Sequence, residues 1–161
     1  MDNIIDVSTG KVKIGKGLLS VGALGSCVAV LAYGPKNKIG AIAHVMLPGK
    51  APDKEKTNKT KYAIDAVDEL IRKMSKLGPD EDNIRIYLIG GANVLDRIYD
   101  TVSRDNISSV LEALNNRNLK VHGEALGGKQ RRSVLFDVKN GIIRYTEGDG
   151  LEKYFRGESN D

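Results

Sequence analysis

Cysteine occurs once in this chain of 161 residues, and histidine only twice, at His44 and His122. One thiol cannot close an internal disulfide or build a cysteine-based zinc site, and two histidines without a cysteine cluster argue against a metal enzyme. Tryptophan is absent and aromatic residues make up 5% of the chain, with no aromatic–basic interleaving. Stacking on single-stranded nucleic acid is therefore not expected. No apolar run approaches the roughly 18 residues of a membrane span, which excludes direct insertion by a helix. The opening Met1-Asp2-Asn3 lacks the basic start and apolar stretch of a secretory signal, so the expected compartment is cytoplasmic and reducing. Internal repeats and low-complexity segments are also missing.

What is present is the composition of a globular chain, with 40% hydrophobic and 29% charged residues. The length suits one domain over residues 1–161, with a tail of mixed charge that is expected to fray from about 149. The net charge of +4 is concentrated in two places. Lys50, Lys54, Lys56, Lys59 and Lys61 lie in a polar stretch that reads as a long surface loop, and Lys129, Arg131 and Arg132 follow Gly127-Gly128. Two basic loops on a nearly neutral body suggest an acidic surface or an anion as partner.

Periodicity gives the elements. Lys11–Val21 reads as one or two strands broken at Gly15 and Gly17. Cys27–Tyr33 and Ile39–Leu47 are apolar on both faces and flank the turn formers Gly34-Pro35-Lys36-Asn37-Lys38, which predicts a hairpin covered on both sides. Tyr62–Leu77 carries an apolar stripe (Ile64, Val67, Leu70, Ile71, Met74, Leu77) with Asp68/Arg72 and Glu69/Lys73 on its wet side, and stops at Gly78-Pro79. Ile84–Ile89 reads as a strand. Arg104–Asn116 is helical with Ile107, Val110, Leu111 and Leu114 inward, and Leu119–Leu126 is a strand. Ser133–Val138 and Ile142–Tyr145 form a hairpin across Asn140-Gly141. The class is α/β or α+β: a β-sandwich or mixed sheet layers flanked by two amphipathic helices.

The first hairpin brings chemistry together. A four-residue loop over 34–37 sets Tyr33 opposite Lys38 and therefore Cys27 opposite His44, on one face of the sheet. A five-residue loop would put them on opposite faces. An imidazole beside a thiol takes its proton, and the thiolate attacks a carbonyl carbon. Gly25-Ser26 before the cysteine lets a substrate approach the backbone and leaves the Cys27 N–H available to an oxyanion. The alternative is a small buried hydrophobe at Cys27 and a core histidine at His44. Gly22–Gly25 and Gly90–Asn93 match no complete phosphate-binding motif and read as tight turns. Gly127–Arg132 reads as a solvated basic loop or an anion cradle. His122 has no visible partner and reads as structural.

Leu24-Gly-Ser-Cys27-Val-Ala-Val and Gly40-Ala-Ile-Ala-His44-Val-Met-Leu-Pro48 resemble the signature of the chemoreceptor glutamine deamidase family, CheD. The likeness continues through Lys61-Tyr62-Ala63, Ile89-Gly90-Gly91-Ala92, Gly127-Gly128 and Arg132-Ser133-Val134. It implies an enzyme converting chemoreceptor glutamine side chains to glutamate, with Cys27 as nucleophile, His44 as its partner and no cofactor or metal. Ser26 and Ser20 are then candidate orienting or oxyanion groups, and Gly25, Gly90, Gly91 and Arg132 candidate substrate-binding residues. The resemblance also implies an α/β sandwich akin to the deamidating domain of cytotoxic necrotising factors. The partners it implies are chemoreceptor cytoplasmic helices and the phosphatase CheC.

The chain departs from the family pattern where a threonine six residues before the cysteine is replaced by Val21. Either Ser20 takes its place, or a backbone carbonyl or another side chain orients His44. Val102–Asn106 matches a further family stretch only in part. Two other classes of function stay open: a non-catalytic adaptor for CheC or receptor, and an anion- or nucleotide-binding module built on Gly127–Arg132.

Overall fold

The computed structural model describes residues 3–157, so Met1, Asp2 and the last four residues of the expected frayed tail lie outside the described residues. Among the described residues, ten strands form two five-stranded sheets. The strands are β1 (Ile4–Asp6), β2 (Val12–Gly15), β3 (Leu18–Leu24), β4 (Val28–Gly34), β5 (Ile39–Val45), β6 (Arg85–Gly90), β7 (Val121–Leu126), β8 (Arg132–Asp137), β9 (Ile142–Glu147) and β10 (Lys153–Arg156). One sheet has the order β1-β3-β8-β9-β10 and the other β2-β5-β4-β6-β7, each mixed through a single parallel pair, β1 with β3 and β6 with β7. Two helices, α1 (Ala63–Lys76) and α2 (Val102–Asn116), cover the outer face of the second sheet.

The layering follows from the alternation of side chains along the hairpin. Every residue of β4 and β5 is buried, as the doubly apolar sequence requires. Val28, Val30 and Ala32, with Ala41, Ala43 and Val45, meet Val67, Leu70, Ile71 and Met74 of α1 and Val110 and Leu114 of α2. The other set, Ala29, Leu31, Tyr33 and Ile42, meets Leu19, Val21, Val134, Phe136 and Ile143 of the first sheet. The hairpin is the middle layer, with a sheet on one face and helices on the other.

Several expectations shift in detail. Residues 153–156, within the stretch expected to fray, pair with β9, and Phe155 stacks on Tyr145 with ring centroids 5.3 Å apart. Leu111, expected inward, is exposed, and Ser103 and Asn106 are buried on the inward side of α2 instead. Asp68 pairs with Arg117 at 3.1 Å rather than with Arg72, whose partner is Glu69. His122 has a partner after all, its Nδ1 lying 3.3 Å from the Ile86 amide. The β8–β9 hairpin runs through Val138–Gly141, with Gly141 at φ 66.

Gly40 sets how closely the sheets approach, because a Cβ there would stand 2.7 Å from both the Phe136 ring and Val138. Overpacking a well-filled interface typically costs about 1–3 kcal/mol. Gly40→Ala is accordingly expected to lose about that much stability in urea unfolding. A midpoint equal to the wild type's would mean that the layers are not packed this tightly.

Candidate active site

The segment before β4 is held by its backbone. After β3 the chain turns through Gly25 and Ser26 and reaches Cys27, which is half-buried. Three successive carbonyls are each engaged. Gly25 O accepts from the Ala92 N–H at 2.8 Å, and Cys27 O from the Gly91 N–H at 2.8 Å. Ser26 O accepts from Asn106 Nδ2 at 2.9 Å. Gly90 and Gly91 make this approach possible, with φ of 125° and 65°; a Cβ on Gly90 would lie 2.3 Å from Cys27 O. Among the described residues, the Ser26 and Cys27 N–H groups donate to no acceptor.

His44 sits on β5 and is 6% exposed. Its Nδ1 lies 3.0 Å from the carbonyl of Val7. A carbonyl only accepts, so Nδ1 carries the proton and neutral His44 presents a lone pair on Nε2. Val7 is fixed in turn by its own N–H, which donates to Ser20 O at 2.8 Å. His44 opens on a cleft of about 280 Å³ whose walls include Asp6, Val7, Thr9, Gly22 and Ala23.

The hairpin register differs from the sequence-based one. Gly34 pairs with Ile39, so the four-residue loop is 35–38 and His44 stands opposite Ala29. Lys38 takes φ 50 and closes the turn one residue later than expected. Cys27 is therefore not directly across from His44. It lies two residues before Ala29, a diagonal neighbour on the same face, because a shift of two preserves the alternation. Its packing against the cluster of Ala29, Leu31 and Ile42 agrees with that side.

Of the other residues singled out in the sequence, Gly25, Ser26, Gly90 and Gly91 surround Cys27. Arg132 stands behind them: it is buried, and its Nη1 donates to Gly90 O at 3.2 Å and to Gly127 O at 2.8 Å. Ser20 is not brought to His44. Leu19 and Val21 on either side of it face the core between the sheets, so its side chain projects outward, 3.4 Å from Asp6. Of the alternatives for orienting His44, the structure supplies the backbone carbonyl. The basic loop 129–132 is tied down, Lys129 pairing with Asp96 at 2.9 Å.

Two participants escaped the sequence. The Val7 carbonyl had no signal, since every residue has one. Asn106 had a faint one, an amide on an inward stripe that it shares with Ser103, Val110, Ala113 and Leu114.

Burial raises the Cys27 thiol pKa. Burial also lowers that of His44, opposed by the Val7 hydrogen bond and the charge of Asp6. Both shifts favour the uncharged forms, so near pH 7 Cys27 is a neutral thiol and His44 a neutral imidazole. Such a pair can pass a proton from sulfur to nitrogen when an electrophilic carbon arrives.

The fold is of the mixed α/β class, two five-stranded mixed sheets with two helices over the outer face of one of them. Residues 46–147 match the family model described as CheD chemotactic sensory transduction. A protein of Chlorobium luteolum named "Probable chemoreceptor glutamine deamidase CheD" is 42% identical over 130 residues, covering 81% of this chain and 65% of its own. One of Methanococcus maripaludis with the same name is 36% identical, covering 92% of this chain and 98% of its own. The "Chemoreceptor glutamine deamidase CheD" of Thermotoga maritima is 31% identical, covering 95% and 96%. The chain belongs to the CheD family.

The raised thiol pKa predicts that alkylation of Cys27 by iodoacetamide is slower at pH 7 than that of a free cysteine. The rate is expected to climb through a midpoint above the ordinary thiol value. A pH-independent rate between 6 and 9 would instead reveal a preformed thiolate.

Proposed function

We propose that this chain deamidates glutamine side chains of chemoreceptors, giving glutamate, with Cys27 as nucleophile and His44 as base. The observation that carries this reading is the shared face of Cys27 and His44, with Nδ1 of His44 held by the Val7 carbonyl. Nε2 takes the thiol proton as sulfur attacks the side-chain amide carbon. The carbonyl oxygen becomes an oxyanion facing the Ser26 and Cys27 N–H groups. The imidazolium returns the proton to the departing amine, ammonia leaves, and a thioester remains. Water, deprotonated by His44, hydrolyses it to the carboxylate and the free thiol. Oxyanion donors of this kind are each worth about 10²–10³ in rate. No step calls on a cofactor.

The surroundings support a protein substrate rather than a small amide. Leu95, Ile98 and Tyr99 stand 71%, 91% and 90% exposed on the loop after Gly91. Exposed apolar side chains beside a site commonly mark a docking face. CheC phosphatase belongs to the same proposal as a partner, as does the fold kinship with cytotoxic necrotising factors, for which the two-sheet layering speaks.

Incubation of a receptor cytoplasmic fragment is expected to add about 1 Da per modified glutamine with wild type and nothing with Cys27→Ala. His44→Ala is expected to slow the shift by about 10²–10⁴. Binding without any mass change from the wild type would favour the adaptor reading.

The lysine loop offers guidance to an acidic receptor helix. Lys50, Lys54, Lys56 and Lys59 are exposed. The loop closes near His44: Thr60 Oγ1 donates to Gly10 O at 2.6 Å, and the Gly10 N–H donates to His44 O at 2.9 Å. Receptor affinity is therefore expected to fall as ionic strength rises from about 0.01 to 0.5 M. An affinity indifferent to salt sinks that role.

A further inference from the structure

Asn106 is fully buried on α2, and its side chain reaches across to two main-chain carbonyls. Nδ2 donates to Ser26 O at 2.9 Å and to Met46 O at 3.1 Å. Both contacts are carbonyls, so the nitrogen must face them and the amide orientation is fixed. Oδ1 is left buried without a donor among the described residues. A position needed only for packing would carry an apolar side chain, as Val110 and Leu114 do on the same stripe, and leave no acceptor unpaired.

We propose that Asn106 is the positioning residue that aims the Cys27 N–H as an oxyanion donor. The inference rests on the reading of Cys27 as nucleophile. The Ser26 carbonyl and the Cys27 N–H belong to one planar trans peptide and point in opposite directions. Asn106 holds the carbonyl from the helix layer, where Val28, Val110 and Leu114 pack together. The N–H is thereby turned away from that layer, and the Cys27 side chain packs on the opposite face of the sheet. The Ala92 N–H does the same for the preceding peptide through Gly25 O, so the Ser26 N–H is set from behind as well. Backbone donors hold Gly25 O and Cys27 O; the Ser26–Cys27 peptide depends on a side chain. The second bond, to Met46 O, ties the same amide to the residue that directly follows the strand carrying His44.

The test compares two reactions of Cys27 in wild type and Asn106→Ala, with Cys27→Ala as the blank. Acylation by p-nitrophenyl acetate develops negative charge on a carbonyl oxygen, whereas alkylation by iodoacetamide displaces iodide and forms no oxyanion. The acylation rate is expected to fall about 10-fold or more while alkylation changes less than about twofold. Thermal unfolding checks that each variant folds. Asn106→Ser, which keeps one donor, replaces the alanine variant if that one does not fold, and is expected to lose less. An equal fall in both reactions makes Asn106 merely structural, and an unchanged acylation rate removes it from the site; either result overturns the proposal. Neither reaction needs a receptor, so failure of the deamidase reading is measured separately, by the absence of a mass shift with wild type.

Discussion

The main chain of Gly90–Ala92 lies against the main chain of residues 25–27 so closely that no side chain fits at Gly90. Two N–H groups from this turn hold two carbonyls of the cysteine segment, and a Cβ on Gly90 would collide with Cys27 O. Each such bond adds only about 0.5–1.5 kcal/mol to stability, but together they fix the main chain at Cys27. Other elements converge on the same turn. Gly127 donates to Gly90 O, Asn93 donates to Gly128 O, and buried Arg132 bonds Gly90 O and Gly127 O together, with Glu147 3.7 Å from its Nε. The basic Gly127–Arg132 segment, which by composition looked like an anion cradle or a solvated loop, here braces the turn that braces the cysteine.

The middle-layer hairpin has two differently used faces. One face is packed by helices and receives the Asn106 amide; the other carries Cys27 and His44 toward the first sheet. Covering both faces removes water, which explains why the thiol is pushed up and the imidazole down. In the proposed reaction, neutral forms of both groups keep the sulfur protonated until a carbonyl carbon is in reach. On that proposal, the oriented Nε2 supplies the activation that burial withholds.

How much of this could be read from sequence depends on whether a feature is carried by side-chain pattern or by backbone. The doubly apolar runs of β4 and β5 and the stripe of α1 are patterns, and the layers followed from them. The hairpin face was right although its register was displaced by two, since side-chain alternation tolerates a shift of two and Lys38 could enter the left-handed region where Gly34 seemed the better turn residue. β1 has three exposed residues and no alternation to find, and β10 owes its place to Phe155 stacking between Tyr145 and Tyr87, a contact between distant segments. Leu111, expected inward, lies exposed while Asn106 is buried, because α2 meets the cysteine segment as well as an apolar sheet.

The replacement of a threonine by Val21 shows the same division. A side chain that orients a histidine is visible in sequence, and its loss looks like the loss of a function. The Val7 carbonyl can do that work with no particular side chain, provided that the chain before β2 is led past His44 and fixed there. Its own N–H on Ser20 O fixes it, and Gly10 and Lys11 bond to both main-chain groups of His44. A carbonyl is also neutral at every pH, so it selects the tautomer without the strong upward pull on the imidazole pKa that a contacting carboxylate would exert. Asp6 is the nearby charge, and its influence ranks below both burial and the Val7 bond. His44 can therefore stay neutral and basic at Nε2 under conditions in which a carboxylate-paired histidine would more readily hold its proton.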